Sequence, residues 1–490
     1  MRVASNHLRI AESRDFECPK RPLLNLQNWN RLRGASIGHI LALQTGDNMK
    51  ARSIRFWSLH AAVLTLACAT LPIPGIAQER DHHTAPGTLI IPPSNRASVA
   101  DLGIKAHTNL RVIVAPATSP SEAPPYIGYG YETPASLACI YRVVAPIKGC
   151  NPNSTTNTPN GGSQSIAIVD AFDDPNAAAD LASFSQQFGI PFSSERFKVV
   201  YASGTQPGTD PSGGWEIEES LDIEWAHAMA PHAMLYLVEA NTNSFTDLFS
   251  AVLVATNLVR CGHTNACPTQ AHGKGEVSMS WGGGEFPSEA DYDWVFSAPN
   301  VVYLAATGDS AGVIYPSASP NVIGVGGTST ARSLQTGDLI REIAWSDAGG
   351  GLSFYEPTPV YQAGIANIAQ GARALPDVSA DANPNTGLWV FDSNPIEGVV
   401  SSWWIVGGTS ASSPVVAGIL NAASTASGHF AQSTQDELAR MYTDYASEDK
   451  YSSGFWDITY GACNYYSGSF SGRGYDLCTG LGSPKGLMGK

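Results

Sequence analysis

Ser165-Ile166-Ala167-Ile168-Val169-Asp170 is a short, almost unbroken apolar run, rich in β-branched residues and closed by a carboxylate. A strand with one wet face would alternate polar and apolar side chains. This run does not, which predicts a strand covered on both faces, as in a parallel sheet. Met234–Glu239 (MLYLVE), Val277–Ser280 and Val301–Ala306 (VVYLAA) have the same character. Ala177–Phe188, Ile217–Met229 and Phe245–Val259 instead carry helical spacing. The alternation predicts an α/β fold, a doubly wound, mostly parallel sheet with helices on both faces. In such a sheet the reactive groups gather at the C-terminal ends of the strands.

The region that carries this pattern, 127–490, has no linker or internal repeat and reads as one domain. Before it, residues 79–126 hold Pro- and Ser-rich stretches such as Ala115-Pro116-Ala117-Thr118-Ser119-Pro120, the mark of a linker or short pro-segment. Further out lies the one long apolar stretch, Phe56–Ala77, behind the basic run Met49-Lys50-Ala51-Arg52-Ser53-Ile54-Arg55. With small residues near Gly75-Ile76-Ala77, that order reads as a secretory signal over 49–78. A membrane anchor is disfavoured because two prolines and His60 leave too short an uninterrupted core to span a bilayer. A signal stands first, so 1–48 reads as a mis-assigned upstream extension, with translation starting at Met49.

Charge and cysteine use agree with export. The chain has 28 Lys+Arg against 43 Asp+Glu, and residues 1–78 hold 10 basic and 4 acidic side chains. The rest holds 18 and 39, a net of −21. An acidic body argues against partners such as nucleic acid or anionic lipid, which need clustered Lys and Arg. It fits a soluble protein acting outside the cell or in the periplasm, or in acid. With Cys18 and Cys68 removed with the N-terminal region, six cysteines remain, and their local grouping suggests Cys139–Cys150, Cys261–Cys267 and Cys463–Cys478. Zinc is the rival, but no C-x-x-C pair is present.

Four segments carry candidate chemistry. Gly407-Gly408-Thr409-Ser410-Ala411-Ser412-Ser413-Pro414 leads into the apolar run Val415–Ala422, so Ser410 falls at a helix N-terminus, where free N–H groups favour negative charge. Glu218 and Asp222 are four residues apart, about 40° apart on one helix face, where two carboxylates repel unless they share a proton or partner. Asp309 follows the strand VVYLAA in Gly308-Asp309-Ser310, and Asp170 closes SIAIVD. Alone, each has a plain reading: a capping serine, a solvated acidic face, a turn aspartate.

Taken in order they resemble the sedolisins, serine-carboxyl peptidases with a subtilisin-like fold, and are similar to the kumamolisin-like members. The resemblance runs from about Tyr131 to Pro484. It rests on Glu218-Glu219-Ser220-Leu221-Asp222, SWGG at Ser280–Gly283, GDS at Gly308–Ser310, YPSASPNVIGVGGT at 315–328, GGGLS at 349–353, PDVS at 376–379, GGTSAS at 407–412, DIT at 457–459 and CTGLGSP at 478–484. The resemblance implies that Ser410 is the nucleophile, Glu218 its general base, Asp222 the residue orienting Glu218, and Asp309 the oxyanion-hole group. It implies a secreted endopeptidase that cleaves proteins or peptides in acid, with Asp170 extending the carboxylates toward Trp281. Such a set suits acid, because a carboxylate still accepts a proton where a histidine is already charged, and a protonated carboxyl can donate to an oxyanion.

The resemblance also implies one structural Ca²⁺, held by Asp457 and Asp476 with the carbonyls of Ile458, Gly472 and Gly474; these are the hard oxygens calcium prefers. A monomer with no stable membrane association after signal removal is expected. Family members are usually made with a large folded prodomain, whereas only 79–126 stands here between signal and catalytic region. Either folding proceeds without it or a reduced pro-segment is cut near 115–130. Two other readings compete. A neutral subtilisin-type triad would use Asp170, a histidine and Ser410, but His227 lies about 180° round the helix from Glu218. An inactive protease-fold binding protein would lack competent catalytic residues, and all four are present.

Overall fold

The structure is a computed structural model that describes residues 87–115, 124–125, 129–262, 273–463 and 469–486. The extension 1–48, the signal 49–78 and Cys267 lie outside these residues. The chain opens with β1 (Leu89–Ile90), β2 (His107–Thr108), β3 (Arg111–Val114) and α1 (Pro134–Ile140). It continues through β4 (Ser165–Ala171), α2 (Ala177–Phe188), β5 (Phe197–Tyr201), α3 (Gly214–Met229), β6 (Met234–Ala240), α4 (Phe245–Cys261) and β7 (Gly275–Met279). Then come β8 (Trp281–Gly284), β9 (Val301–Ala306), β10 (Ile323–Arg332) and β11 (Leu339–Ala344). The site is completed by β12 (Val378–Asp381), β13 (Leu388–Phe391), β14 (Trp403–Gly407) and α5 (Thr409–Ser427).

The main sheet has the order β5-β6-β4-β7-β9-β10-β11, with β12 also paired to β10. All its pairings are parallel except the antiparallel edge β10–β11. The unbroken apolar runs are explained by the two cores they divide. Ile166, Ile168, Leu235, Leu237 and Leu304 point to one face and pack with α2, α3 and α5. Their neighbours Ala167, Val169, Tyr236, Val238 and Tyr303 point to the other and pack with α4. The period of two is intact, but both phases are apolar because both faces are covered. The doubly wound, mostly parallel sheet expected from the sequence is the fold.

Because α2 and α3 cover one face and α4 the other, the winding reverses between the adjacent strands β4 and β7. The crevice at the C-terminal ends of such a pair is where open α/β sheets build their sites. Over it lies α3, all sixteen residues of which are buried. α5 packs closely on α3 through Gly418, where a Cβ would come within 2.6 Å of the Met229 Cβ and 2.8 Å of the Ala226 oxygen. A helix sealed on every side is ordinarily apolar all round. This one carries Glu216, Glu218, Glu219, Asp222 and Glu224, so the plain reading of that segment as a solvated acidic face is wrong.

The described part of 79–126 is folded onto this unit. β1 pairs with β3, β3 with β14 and β14 with β13, giving a four-stranded antiparallel sheet. The disulfides Cys139–Cys150 and Cys463–Cys478 are formed, with Cα atoms 5.5 Å and 5.3 Å apart. Cys261 is also disulfide-bonded, and its expected partner Cys267 is outside the described residues. Among the described residues no helix is long and apolar enough to cross a membrane.

Candidate active site

β14 delivers the chain to α5 through Gly408, whose φ of +112° and close neighbours leave no room for a side chain. Ser410 follows in the first helical turn, fully buried, where its N–H has no acceptor within the helix. That N–H donates instead to the carbonyl oxygen of Asn109, at 3.1 Å. The Ser410 hydroxyl donates to the Ser280 carbonyl at 2.9 Å and accepts the Asn109 N–H at 3.1 Å.

Glu218 and Asp222 project from one face of α3 beside this hydroxyl. Burial, then the charges of Asp222 and Asp170, push Glu218 well above the usual carboxyl range, while the neighbouring Ser410 side chain pulls it back. With the hydroxyl engaged by Ser280, neither oxygen of Glu218 has a hydrogen-bond partner. Asp222 accepts a hydrogen bond from the Ser280 hydroxyl at 2.8 Å, and burial raises it too. Asp170, at the end of β4, is fully buried, and both its oxygens lack a hydrogen-bond partner. The expected link from Asp170 to Trp281 is not made. The indole N–H donates to the Val169 carbonyl at 2.7 Å, one residue earlier.

Asp309 sits across from this pair, next to Ser410. Its Oδ1 accepts the N–H of Thr409 at 2.8 Å and the Thr409 hydroxyl at 3.1 Å. Its Oδ2 is buried with no partner. Burial raises its pKa to about 7 against those hydrogen bonds and the Arg111 charge, so in acid it is a neutral carboxylic acid with a free O–H to donate. Oδ2 and the Asn109 carbonyl oxygen both lie beside Gly408, 2.7 Å and 2.0 Å from where its Cβ would be. The Ser410 N–H donates to that carbonyl oxygen, and the Asp309 Oδ2 lies on the same side of Gly408.

His227, the histidine of the rival triad, is buried edge-on against Phe192 at 5.9 Å between ring centroids. Burial lowers its pKa to about 4. In the C-terminal part of the sequence, Gly474 N–H donates to Asp457 (3.0 Å) and Gly472 N–H to Asp476 (2.9 Å), so both carboxylates close on one glycine-rich loop. That donor set has the hard-oxygen chemistry calcium takes. No cluster of three or more His, Cys, Asp or Glu among the described residues could hold a metal, so an ion here would draw on the backbone carbonyls of Ile458, Gly472 and Gly474.

The sequence reading missed Ser280, Thr409, Asn109 and Arg111. Ser280 stood in a quoted motif without a role. Asn109 precedes Leu110-Arg111-Val112-Ile113-Val114, a strand-like run whose pattern was visible but lay inside a segment read as linker.

A sequence profile described as the subtilase family matches residues 208–461. Kumamolisin from Bacillus sp. (strain MN-32) is 31% identical over 364 residues, which is 67% of this chain and 59% of that protein. Sedolisin from Pseudomonas sp. (strain 101) is 24% identical over 367 residues, 69% of this chain and 60% of that protein. The chain therefore spans about three fifths of the length of these curated relatives. Among solved structures, Pseudomonas sedolisin (serine-carboxyl proteinase) complexed with two molecules of pseudo-iodotyrostatin superposes with a TM-score of 0.57 at 23% identity. The match covers 72% of this chain and 95% of that one and speaks for the fold.

Proposed function

Since the chain belongs to the subtilase family and, within it, to the sedolisins, we propose that it is a secreted serine-carboxyl endopeptidase cleaving proteins and peptides in acid through an acyl-enzyme on Ser410. The observation that carries the proposal is the buried Glu218 beside Ser410, with Asp222 from the same helix turn on the Ser280 hydroxyl and Asp309 bound to the adjoining Thr409. The roles follow from the environments. Glu218, ionised, takes the Ser410 proton as the hydroxyl attacks a peptide carbonyl, then returns it to the leaving amine. Asp222, tied to the Ser280 hydroxyl, shares the proton of the pair and orients Glu218. The Ser410 N–H and the Asp309 carboxyl stabilise the oxyanion.

The pH profile follows. Activity rises as the Glu218–Asp222 pair gains its negative charge and falls as Asp309 loses its proton, around pH 7. His227 supplies no base, because it is packed against Phe192. We further propose export by the signal 49–78, action as a monomer outside the cell or in the periplasm, a catalytic region over 127–490 and one structural Ca²⁺ at Asp457 and Asp476. The metal's part is structural: it would tie the Gly472–Asp476 loop to Asp457, and no catalytic step involves it.

Hydrolysis of an unfolded protein measured from pH 3 to 8, with Ser410→Ala as control, tests the reading. Activity that peaks in acid and vanishes in the variant is expected. A neutral optimum that depends on His227, or no hydrolysis at any pH, overturns it.

A further inference from the structure

The Arg111 guanidinium is held on three sides. One of its terminal nitrogens pairs with the Asp347 carboxylate, the other donates to the Asp309 carbonyl at 3.0 Å, and its carbon lies 5.2 Å from the centre of the Trp345 ring. A planar cation with its donors in a fork suits a carboxylate, a carbonyl and an aromatic face together. A compact ammonium can meet fewer of them at once.

The walls of this cradle are built without help from their occupant. Trp345 is buried among Ala344, Ala348 and Ala382, and its backbone N–H donates to the Gly327 carbonyl at 3.1 Å. Its ring takes the room that Gly327 leaves, since a Cβ there would come within 2.9 Å of the ring. The turn that presents the Asp309 carbonyl is tied to the same segment. The Gly349 N–H donates to the Gly308 carbonyl at 2.7 Å, and the Thr307 hydroxyl donates to the Gly349 carbonyl at 3.0 Å. The Asp347 side chain is 41% exposed, so the cradle opens to solvent. An exposed Arg–Asp pair alone contributes little. A fixed aromatic wall and a fixed carbonyl make this a site rather than a pair.

The cradle also has a fixed place relative to Ser410. The Ser410 N–H donates to the Asn109 carbonyl at 3.1 Å, and Arg111, two residues further on, lies opposite Gly407 in the β3–β14 pairing. A peptide that sets its reacting carbonyl on the Ser410 N–H and runs on along β14 therefore brings the second residue after the bond under attack to the cradle. We propose that Trp345, Asp347 and the Asp309 carbonyl form a subsite for a guanidinium side chain, which selects substrates with Arg at the second position after the cut bond. The subsite rests on the peptidase reading above and adds a sequence preference to it. A substrate Arg exchanges with Arg111 like for like and keeps the same charge beside Asp309. An acidic side chain at that position faces Asp347 and is repelled.

A pool of random-sequence peptides, digested by the full chain at about pH 5 and sequenced at the new ends, tests this. At the second position after the cut, Arg is expected to be enriched about tenfold over Ala, with Lys between them and Glu below Ala. Asp347→Lys is expected to reverse the order of Arg and Glu at that position and to leave the preferences at other positions as they were. A loss of fold would lower every cut alike and could not reverse one preference. Cutting with no Arg preference, or a preference that Asp347→Lys does not move, overturns the proposal and leaves the peptidase reading standing. A second measurement needs no hydrolysis. In the Ser410→Ala chain, Arg111→Ala empties the cradle, and acetyl-arginine amide at millimolar concentration is expected to bind there by saturation-transfer NMR. No binding is expected with Arg111 in place, or when Asp347→Asn is added to the emptied chain. If no peptide is cut at any pH the peptidase reading falls, and this binding result alone decides the cradle: failure of the emptied chain to bind the amide overturns it.

Discussion

Glu132 and Glu218 are both fully buried, yet only Glu132 has a cation. Arg332 grips both oxygens of Glu132 at 2.6 Å, and the hydroxyls of Ser136 and Thr330 complete its shell at 2.6 and 2.7 Å. Asp377 is treated the same way by Arg373. Around α3, by contrast, Asp170, Glu218, Glu219 and Asp222 are buried with no guanidinium or ammonium partner among the described residues, and most of their oxygens have no hydrogen-bond donor. Four carboxylates stranded in this way cost more than the fold can supply, so most of these groups hold protons and the Glu218–Asp222 pair carries at most one negative charge. One region balances charge with charge and is structural. The other balances it with protons, and that is the region beside Ser410.

The largest expected effect comes from denying that second region its base. Glu218→Gln keeps shape and burial but cannot accept a proton, so kcat/KM falls by about 10³-fold or more. The same variant is expected to be no less stable than the parent, and more stable above pH 7, because an amide needs no proton to be buried neutral. Activity within tenfold of the parent would break the division between a structural and a chemical carboxylate region.

The reverse experiment is made at the paired region. Arg332→Met leaves Glu132 as an uncompensated buried charge and is expected to cost about 3–5 kcal/mol, read as a lower urea midpoint. Adding Glu132→Gln recovers much of the loss, since the stranded charge rather than the missing contact is the penalty. A double variant as unstable as the single one would mean that packing, not charge, does the work there.

Stability against pH is the next contrast. Burial raises Glu216 to about 8, Glu239 to about 9 and Asp174 to about 6, all above their unfolded values near 4. A folded-state pKa above the unfolded one gives stability that is complete below pH 4 and fades as pH rises through the folded value. Tm is therefore expected to fall progressively from about pH 5 to 9. Glu216→Gln with Glu239→Gln flattens the upper part of that fall. A Tm that climbs over the same range would show these groups buried as anions, like Glu132.

The sequence made the fold legible because the decisive signal was local: runs such as SIAIVD are apolar on both phases only when both faces are covered. The candidate catalytic set came from ordered motifs, and helical spacing put Glu218 and Asp222 on one face, where α3 carries them. Burial was not legible. Nothing in Glu216–Glu224 distinguishes a wet acidic face from a sealed one, because that depends on α5 packing against α3 through Gly418. The role of Asn109 was hidden for a related reason: its contacts lie 171 and 301 residues away in the chain, at Ser280 and Ser410. The Trp281 contact was missed because the indole N–H is taken by a backbone acceptor, the Val169 carbonyl, which side-chain pattern does not reveal.

Asp457 and Asp476 offer a third way of keeping a carboxylate, and the smallest effect. Among the described residues neither forms an ion pair with an Arg, although the Arg473 charge acts on Asp457; the Tyr451 hydroxyl and the backbone N–H groups of Gly472, Gly474, Cys478 and Thr479 serve them. Calcium at this loop would add the missing positive charge, using both carboxylates and the carbonyls of Ile458, Gly472 and Gly474. An ion that binds only the folded chain stabilises it in proportion to the logarithm of its concentration over its Kd, by about 2.7 kcal/mol at a hundredfold excess. A chelator is then expected to lower Tm by a few degrees, with activity at low temperature unchanged, since Ser410 draws on neither aspartate. Asp457→Asn should lower Tm similarly and abolish the response to chelator, and that pairing separates lost metal from lost loop packing. A chelator that leaves Tm unmoved in the parent chain would assign these aspartates to the backbone alone, and leave protons and guanidinium groups as the molecule's two means of burying acid.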